Sequence, residues 1–213
     1  MILVLLVAAD RGANAYAENQ MASQFQSSLG LSGKPQVTIE GFPFLTQAIV
    51  GNLHTVDITA SNEAITVKGA GSGLLEITSL TATLQGLHPH GTTSATVDQL
   101  NANALITFSA LGNVEGIPQG ITLSADGPNQ LKATVDIFGF STEITATVEK
   151  AGSNQIRVHV TDFGGIPANA LGNLADFRVT LPKLPAGLSI QSISVTQQGL
   201  RIIVSGQHVT LNQ

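Results

Sequence analysis

From Gln36 onward the prevailing period of apolar side chains is two, broken at Ala110–Val114 and Ala170–Leu174, and that period decides what this chain can become. Val37 and Ile39 alternate with polar neighbours, as do Val56, Ile58 and Ala60, then Ile65 and Val67, then Leu80, Ala82 and Leu84. The pattern returns at Ile121 and Leu123, Leu131 to Ile137, Ile144 to Val148, Ile156 to Val160, Ile190 to Val195 and Leu200 to Val204. Successive side chains of a strand point to opposite faces, so each run makes a strand with one aliphatic and one wet face. Ala70-Gly71-Ser72-Gly73, Asp126-Gly127-Pro128-Asn129, Ala151-Gly152-Ser153-Asn154 and Gln198-Gly199 supply the turns of antiparallel hairpins.

Composition agrees. Charged residues are 11% of the chain, against about a quarter in ordinary domains. Thr, Ser, Asn, Gln and Gly fill the polar share, and Thr suits a half-buried pleated surface. A disordered chain would be more charged and less apolar. The 213 residues suffice for a sizeable core.

Ahead of Gln36 the period is helical. Ala17, Met21, Phe25 and Leu29 recur every four residues as an apolar stripe, with Asn14, Glu18, Asn19, Gln20 and Gln24 mostly on the other faces. Gly30, Gly33 and Pro35 stop the helix. Before it, MILVLLVAA is uninterrupted apolar sequence ending at Asp10 and Arg11. Nine residues at ~1.5 Å rise cover well under half of a ~30 Å hydrocarbon core, and there is no positive leader region. The run is either a short buried helix start or the tail of a membrane anchor that begins upstream. Because such a stretch is a liability on a soluble surface, the second reading is preferred. The expected organisation is a truncated anchor or signal remnant over residues 1–12 and one domain over residues 13–213.

No linker divides that domain, since Leu181-Pro182-Lys183-Leu184-Pro185 is short and leads straight into strand-like sequence. Short helices are expected at Ala110–Val114 and at its echo Ala170–Leu174, with an irregular or helical link over Gln47–Leu53. One long early helix and a sheet with an aliphatic face must cover each other, which predicts an α+β fold on a mostly antiparallel sheet.

Several functions are excluded on chemical grounds. The nine Lys and Arg are scattered and the net charge is −5, so no basic stripe exists for nucleic acid or for strong docking on anionic lipid. Any lipid contact must be chiefly hydrophobic. Cysteine is absent, which removes disulfides, thiolate metal sites and cysteine nucleophiles. His88-Pro89-His90 lacks a carboxylate at ligand spacing and reads as a loop; His159 alternates with apolar residues and reads as the wet face of a strand. Ser72 in Gly69-Ala70-Gly71-Ser72-Gly73 lacks the glycine two residues earlier that a nucleophile elbow needs, and strand-like sequence follows where a phosphate loop needs a helix. The carboxylates are mostly single and interleaved with Thr, as on a solvated strand. No catalytic constellation, metal site or cofactor is predicted.

One stretch stands apart. Val37-Thr38-Ile39-Glu40-Gly41-Phe42-Pro43-Phe44-Leu45-Thr46-Gln47, followed by Gly51 and Val56, resembles the opening of the LmeA-like phospholipid-binding family of the actinobacterial cell envelope. Leu181-Pro182-Lys183-Leu184-Pro185-Ala186-Gly187-Leu188, Ile193-Ser194-Val195 and Gly199-Leu200-Arg201-Ile202 resemble its far end, and Tyr16-Ala17-Glu18-Asn19 after an apolar run its start. The resemblance implies a non-enzymatic, extracytoplasmic protein, anchored or secreted, that binds phospholipid and supports envelope lipid or glycolipid maturation or transport. It also implies a tubular lipid-binding fold, a strongly curved sheet around a long helix.

An aliphatic face larger than one helix can cover must close over itself or over an acyl chain, and each buried methylene is worth ~0.8 kcal/mol without any charged site. Phe25, Phe42, Phe44, Leu45, Ile49, Phe138, Phe140 and Phe163 are the candidates to line such a groove. The expected partners are phospholipid and, through the anchor, a membrane surface. The alternative is a scaffolding domain with a filled core that binds another envelope protein.

Overall fold

The computed structural model describes residues 2–29, 31–69, 73–91, 94–113, 121–137, 140–167, 172 and 175–212. In chain order the elements are α1 (Ile2–Leu29), β1 (Gln36–Glu40), α2 (Phe44–Val50), β2 (Leu53–Gly69), β3 (Gly73–His90), β4 (Ser94–Thr107) and α3 (Phe108–Gly112). Then follow β5 (Ile121–Ala125), β6 (Gln130–Ile137), β7 (Phe140–Lys150), β8 (Gln155–Asp162), β9 (Asp176–Thr180), β10 (Ala186–Thr196) and β11 (Gly199–Asn212). The fold is α+β, as the change of period at Gln36 requires.

All strand pairs are antiparallel, in the order β10-β11-β4-β3-β2-β9-β8-β7-β6-β5, with β1 laid on β2. β2 belongs to two sheets. Leu53 to Val67 pair with β3, and then Lys68 and Gly69 pair with Thr180 and Val179 of β9. Turns of the second sheet reach back to β10, where Ile190 N–H donates to the Ser153 carbonyl at 2.9 Å and Val195 N–H to the Pro128 carbonyl at 2.7 Å.

The aliphatic faces form two cores along the same long strands. At the α1 end, Val37, Ile39, Phe44, Val56, Leu84, Val97 and Val209 pack with Ala22 of α1. At the far end, Leu75, Ile106, Leu131, Val148, Ile156, Ile190 and Val195 join the first sheet to the second, with Ala110 of α3.

Four local expectations are corrected. Ser94–Thr107 and Asp176–Thr180 are strands that the alternation did not mark. His88-Pro89-His90 closes β3, pairing with Thr96, Ala95 and Ser94, and is not a loop. Glu63 is not on a solvated face: it is 2% exposed and its Oε2 accepts from Ser32 N–H at 2.7 Å, Ser32 Oγ at 2.8 Å and Gly33 N–H at 3.3 Å. A buried carboxylate is tolerated because three donors of the α1–β1 connection converge on it. The fourth correction concerns α1. Ala17, Met21 and Phe25 do pack on the core, but Asp10 and Asn14 are buried too. Of the remaining expected short elements, Ala110–Val114 overlaps α3 and Gln47–Leu53 overlaps α2. Most of Ala170–Leu174 lies outside the described residues.

Candidate functional site: the apolar end

α1 turns polar groups inward because its neighbours present backbone donors there. Asp10 Oδ1 accepts from Leu45 N–H at 2.8 Å. Leu45 lies in the first turn of α2, where N–H groups have no partner inside the helix and a carboxylate is favoured by the helix dipole. One face further along, Glu18 Oε1 accepts from Ile39 N–H of β1 at 2.9 Å and from Asn14 Nδ2 at 3.1 Å. So α1 is tied by side chains to both β1 and α2.

The Gly41–Gly51 block builds α2 and aims it. Gly41 has φ +99°, which favours glycine, and a Cβ there would lie 2.8 Å from Nε2 of Gln47. The buried Gln47 amide donates to the Glu40 carbonyl at 3.1 Å and accepts from His54 N–H at 2.9 Å. It thereby joins the end of β1, α2 and the start of β2. Phe44 drops into the core beside Ile39 and Leu53. Gly51, at φ +71°, closes α2 in the left-handed conformation, donating to the Ala48 carbonyl at 3.3 Å.

With Phe44 and Gln47 inside, the other face of α2 points outward, and it is apolar. Ile49 is 86% exposed and Val50 71%, with Leu45 and Phe42 also exposed. The Arg11 guanidinium sits 5.2 Å from the centre of the Phe42 ring. Next to them, residues 3–9 of α1 are all exposed, and Leu3, Val4, Leu5, Leu6 and Val7 follow one another there. Leu3, Val4, Val7, Ala8 and Arg11 line an open depression of about 330 Å³. Among the described residues, twelve large hydrophobic side chains are exposed, and nine of them lie in residues 3–7 and 42–50. Scattered exposed leucines need no explanation, whereas a continuous patch marks an interaction site.

A family model, LmeA-like phospholipid-binding, matches residues 8–205. The chain belongs to the LmeA-like phospholipid-binding family. No curated protein and no solved structure matches it. Family membership supports a lipid-binding role, and the Gly41–Gln47 block that carried the resemblance is the part that shapes the apolar end.

The sequence-derived candidates divide. Phe42, Phe44, Leu45 and Ile49 come together around α2, and Phe25 is half-buried against the same core as Phe44. Phe140 begins β7 of the second sheet, and Phe163 lies half-buried just after β8, outside any strand. Phe138 lies outside the described residues. Sequence reasoning missed Val50, Arg11 and the two holding groups, Asp10 and Gln47. Gln47 had a signal, standing three residues after Phe44 on the inward face of a helix; Asp10 had none.

Among the described residues no cluster of three or more metal-ligating side chains occurs, and no helix is long and apolar enough to cross a membrane.

Proposed function

We propose that this protein binds phospholipid without turning it over, taking acyl chains on the apolar surface that α1 and α2 expose together. One observation carries this reading: among the described residues, nine of the twelve exposed large hydrophobic side chains sit at one end, five on the start of α1 and four on or just before α2, the helix that the family's characteristic block holds outward. Hydrophobic contact suffices, since each methylene moved from water contributes ~0.8 kcal/mol. The sparse, scattered cations suit a contact that does not rely on charge.

The proposal extends to place and role. The protein works in the cell envelope, outside the cytoplasmic membrane, with the start of α1 as its attachment, and supports lipid or glycolipid maturation or transport there. The resemblance of its blocks to an envelope family and the apolar run before Asp10 support this.

Lipid extracted from the full chain after gentle purification, identified by mass spectrometry, tests the binding. Stoichiometric phospholipid is the expected result. A lipid-free profile, with no uptake of phospholipid offered as vesicles or as short-chain monomers, overturns it and leaves the scaffolding alternative, to be pursued by crosslinking.

A further inference from the structure

Resting on that reading, we infer that α2 is a bilayer-docking element: it lies in the surface layer of an intact phospholipid membrane and sets the depth and tilt of the protein beside the start of α1. The source of lipid is then a bilayer, not a free or delivered lipid molecule.

Three features point to this occupant. First, α1 exposes Leu3 to Val7 in succession, more than a full helical turn, so apolar surface faces every direction around its axis. A protein groove covers one face of a helix; a hydrocarbon phase covers all of them. Second, α2 with its outward apolar face lies against α1 beside this surface, because Asp10 bonds to Leu45 and Arg11 stacks on Phe42. Third, polar groups mark a boundary. Buried Asp10 presents no charge outward, whereas Arg11 is exposed between the apolar start of α1 and the rest of the molecule. A long cationic side chain at such a border can keep its stem among apolar groups and its head at phosphate level. A short helix with one apolar face suits the interface plane, where such faces sink ~5–10 Å below the headgroups.

The chain has no cysteine, so a single introduced thiol takes a fluorophore at one position. Ile49→Cys is the reporter. Leu74→Cys is the control, because Leu74 is 70% exposed but opens β3 at the end of the sheet remote from Leu53 and Leu87. Each full-length labelled protein is mixed with phosphatidylcholine vesicles whose acyl chains carry bromine near the headgroup or near the bilayer centre. The expected result is strong quenching at position 49 by the shallow bromines, weaker quenching by the deep ones, and none at position 74. Ile49→Ser with Val50→Ser should weaken vesicle binding roughly tenfold or more while leaving the thermal midpoint unchanged, since both side chains are exposed.

Vesicle-bound protein with an unquenched label at position 49 overturns the inference and leaves lipid binding standing, with α1 docking alone. Uptake of monomeric short-chain phosphatidylcholine without vesicle binding also overturns the inference and leaves lipid binding standing, with neither helix docking on a bilayer. Binding of neither overturns the inference together with the reading beneath it.

Discussion

The two ends of the long strands treat apolar surface in opposite ways. At the far end, β5–β9 and α3 cover the aliphatic face, and Ile190 and Val148 are wholly inside. At the α1 end the core is equally dry, with Val56, Val97 and Val209 fully buried, yet it is ringed by exposed Leu, Ile, Val and Phe. The contrast is not one of missing cover. α2 is clamped by Gln47 and Asp10 so that its apolar face stays out, and the same block buries Phe44. An exposure held by buried hydrogen bonds is a built surface, whereas Leu74 and Ile203, exposed singly, are ordinary.

Core truncations should separate the two ends most widely. Phe44→Ala is expected to cost about 3–5 kcal/mol and Ile190→Ala about 2–5 kcal/mol, read by chemical denaturation. At temperatures where both variants remain folded, only Phe44→Ala should lose vesicle binding, because it removes the one apolar anchor of α2. Equal loss by Ile190→Ala would erase the distinction.

Gln47→Ala strands the Glu40 carbonyl and the His54 N–H. It should cost about 1–3 kcal/mol, with amide exchange in α2 rising more than in β8. Gly41→Ala should lose about 1–3 kcal/mol, from φ +99° and the close Gln47 amide; a neutral result would show that the block can relax.

The smallest effect belongs to the surface of the second sheet. There the Arg157 guanidinium, hydrogen-bonded to Asp176 at 2.6 and 2.8 Å, holds that carboxyl below its ordinary value of 3.8. A lowered folded value contributes stability that is present above 3.8 and fades as pH falls through it. Asp176→Asn should therefore flatten the acid limb of the thermal midpoint below about pH 4 slightly and leave vesicle binding alone, as exposed pairs contribute little.

Much of the fold was legible because a period of two has few structural meanings. It failed at β4 for a local reason. Leu87 pairs with Val97 and Gln85 with Gln99, while Gly86, at φ +62°, faces the Asp98 side chain. Alternation loses phase there, and β4 buries Val97, Leu100 and Ile106 at uneven intervals. β9 has five residues and none fully buried, too little for a pattern. The site was legible as a stretch of sequence but not as an inside and an outside. The helix starts within the motif, so Phe42 and Phe44, which alternation would place together, part company. Asp10 and Glu63 face inward toward partners brought by tertiary contact, and nothing adjacent in the chain announces them.

The placement of β11 against β4 also orders events during synthesis. β4 finds one neighbour at once in β3, but its other edge pairs with a strand made ~100 residues later, Leu211 meeting Ala95 and Gly199 meeting Thr107. Until those last residues emerge, an open edge and the apolar start of α1 coexist on one nascent chain, the combination most prone to aggregate. A chaperone that shields that edge, or rapid handover of α1 to lipid, would raise the yield of folded protein without altering its final stability.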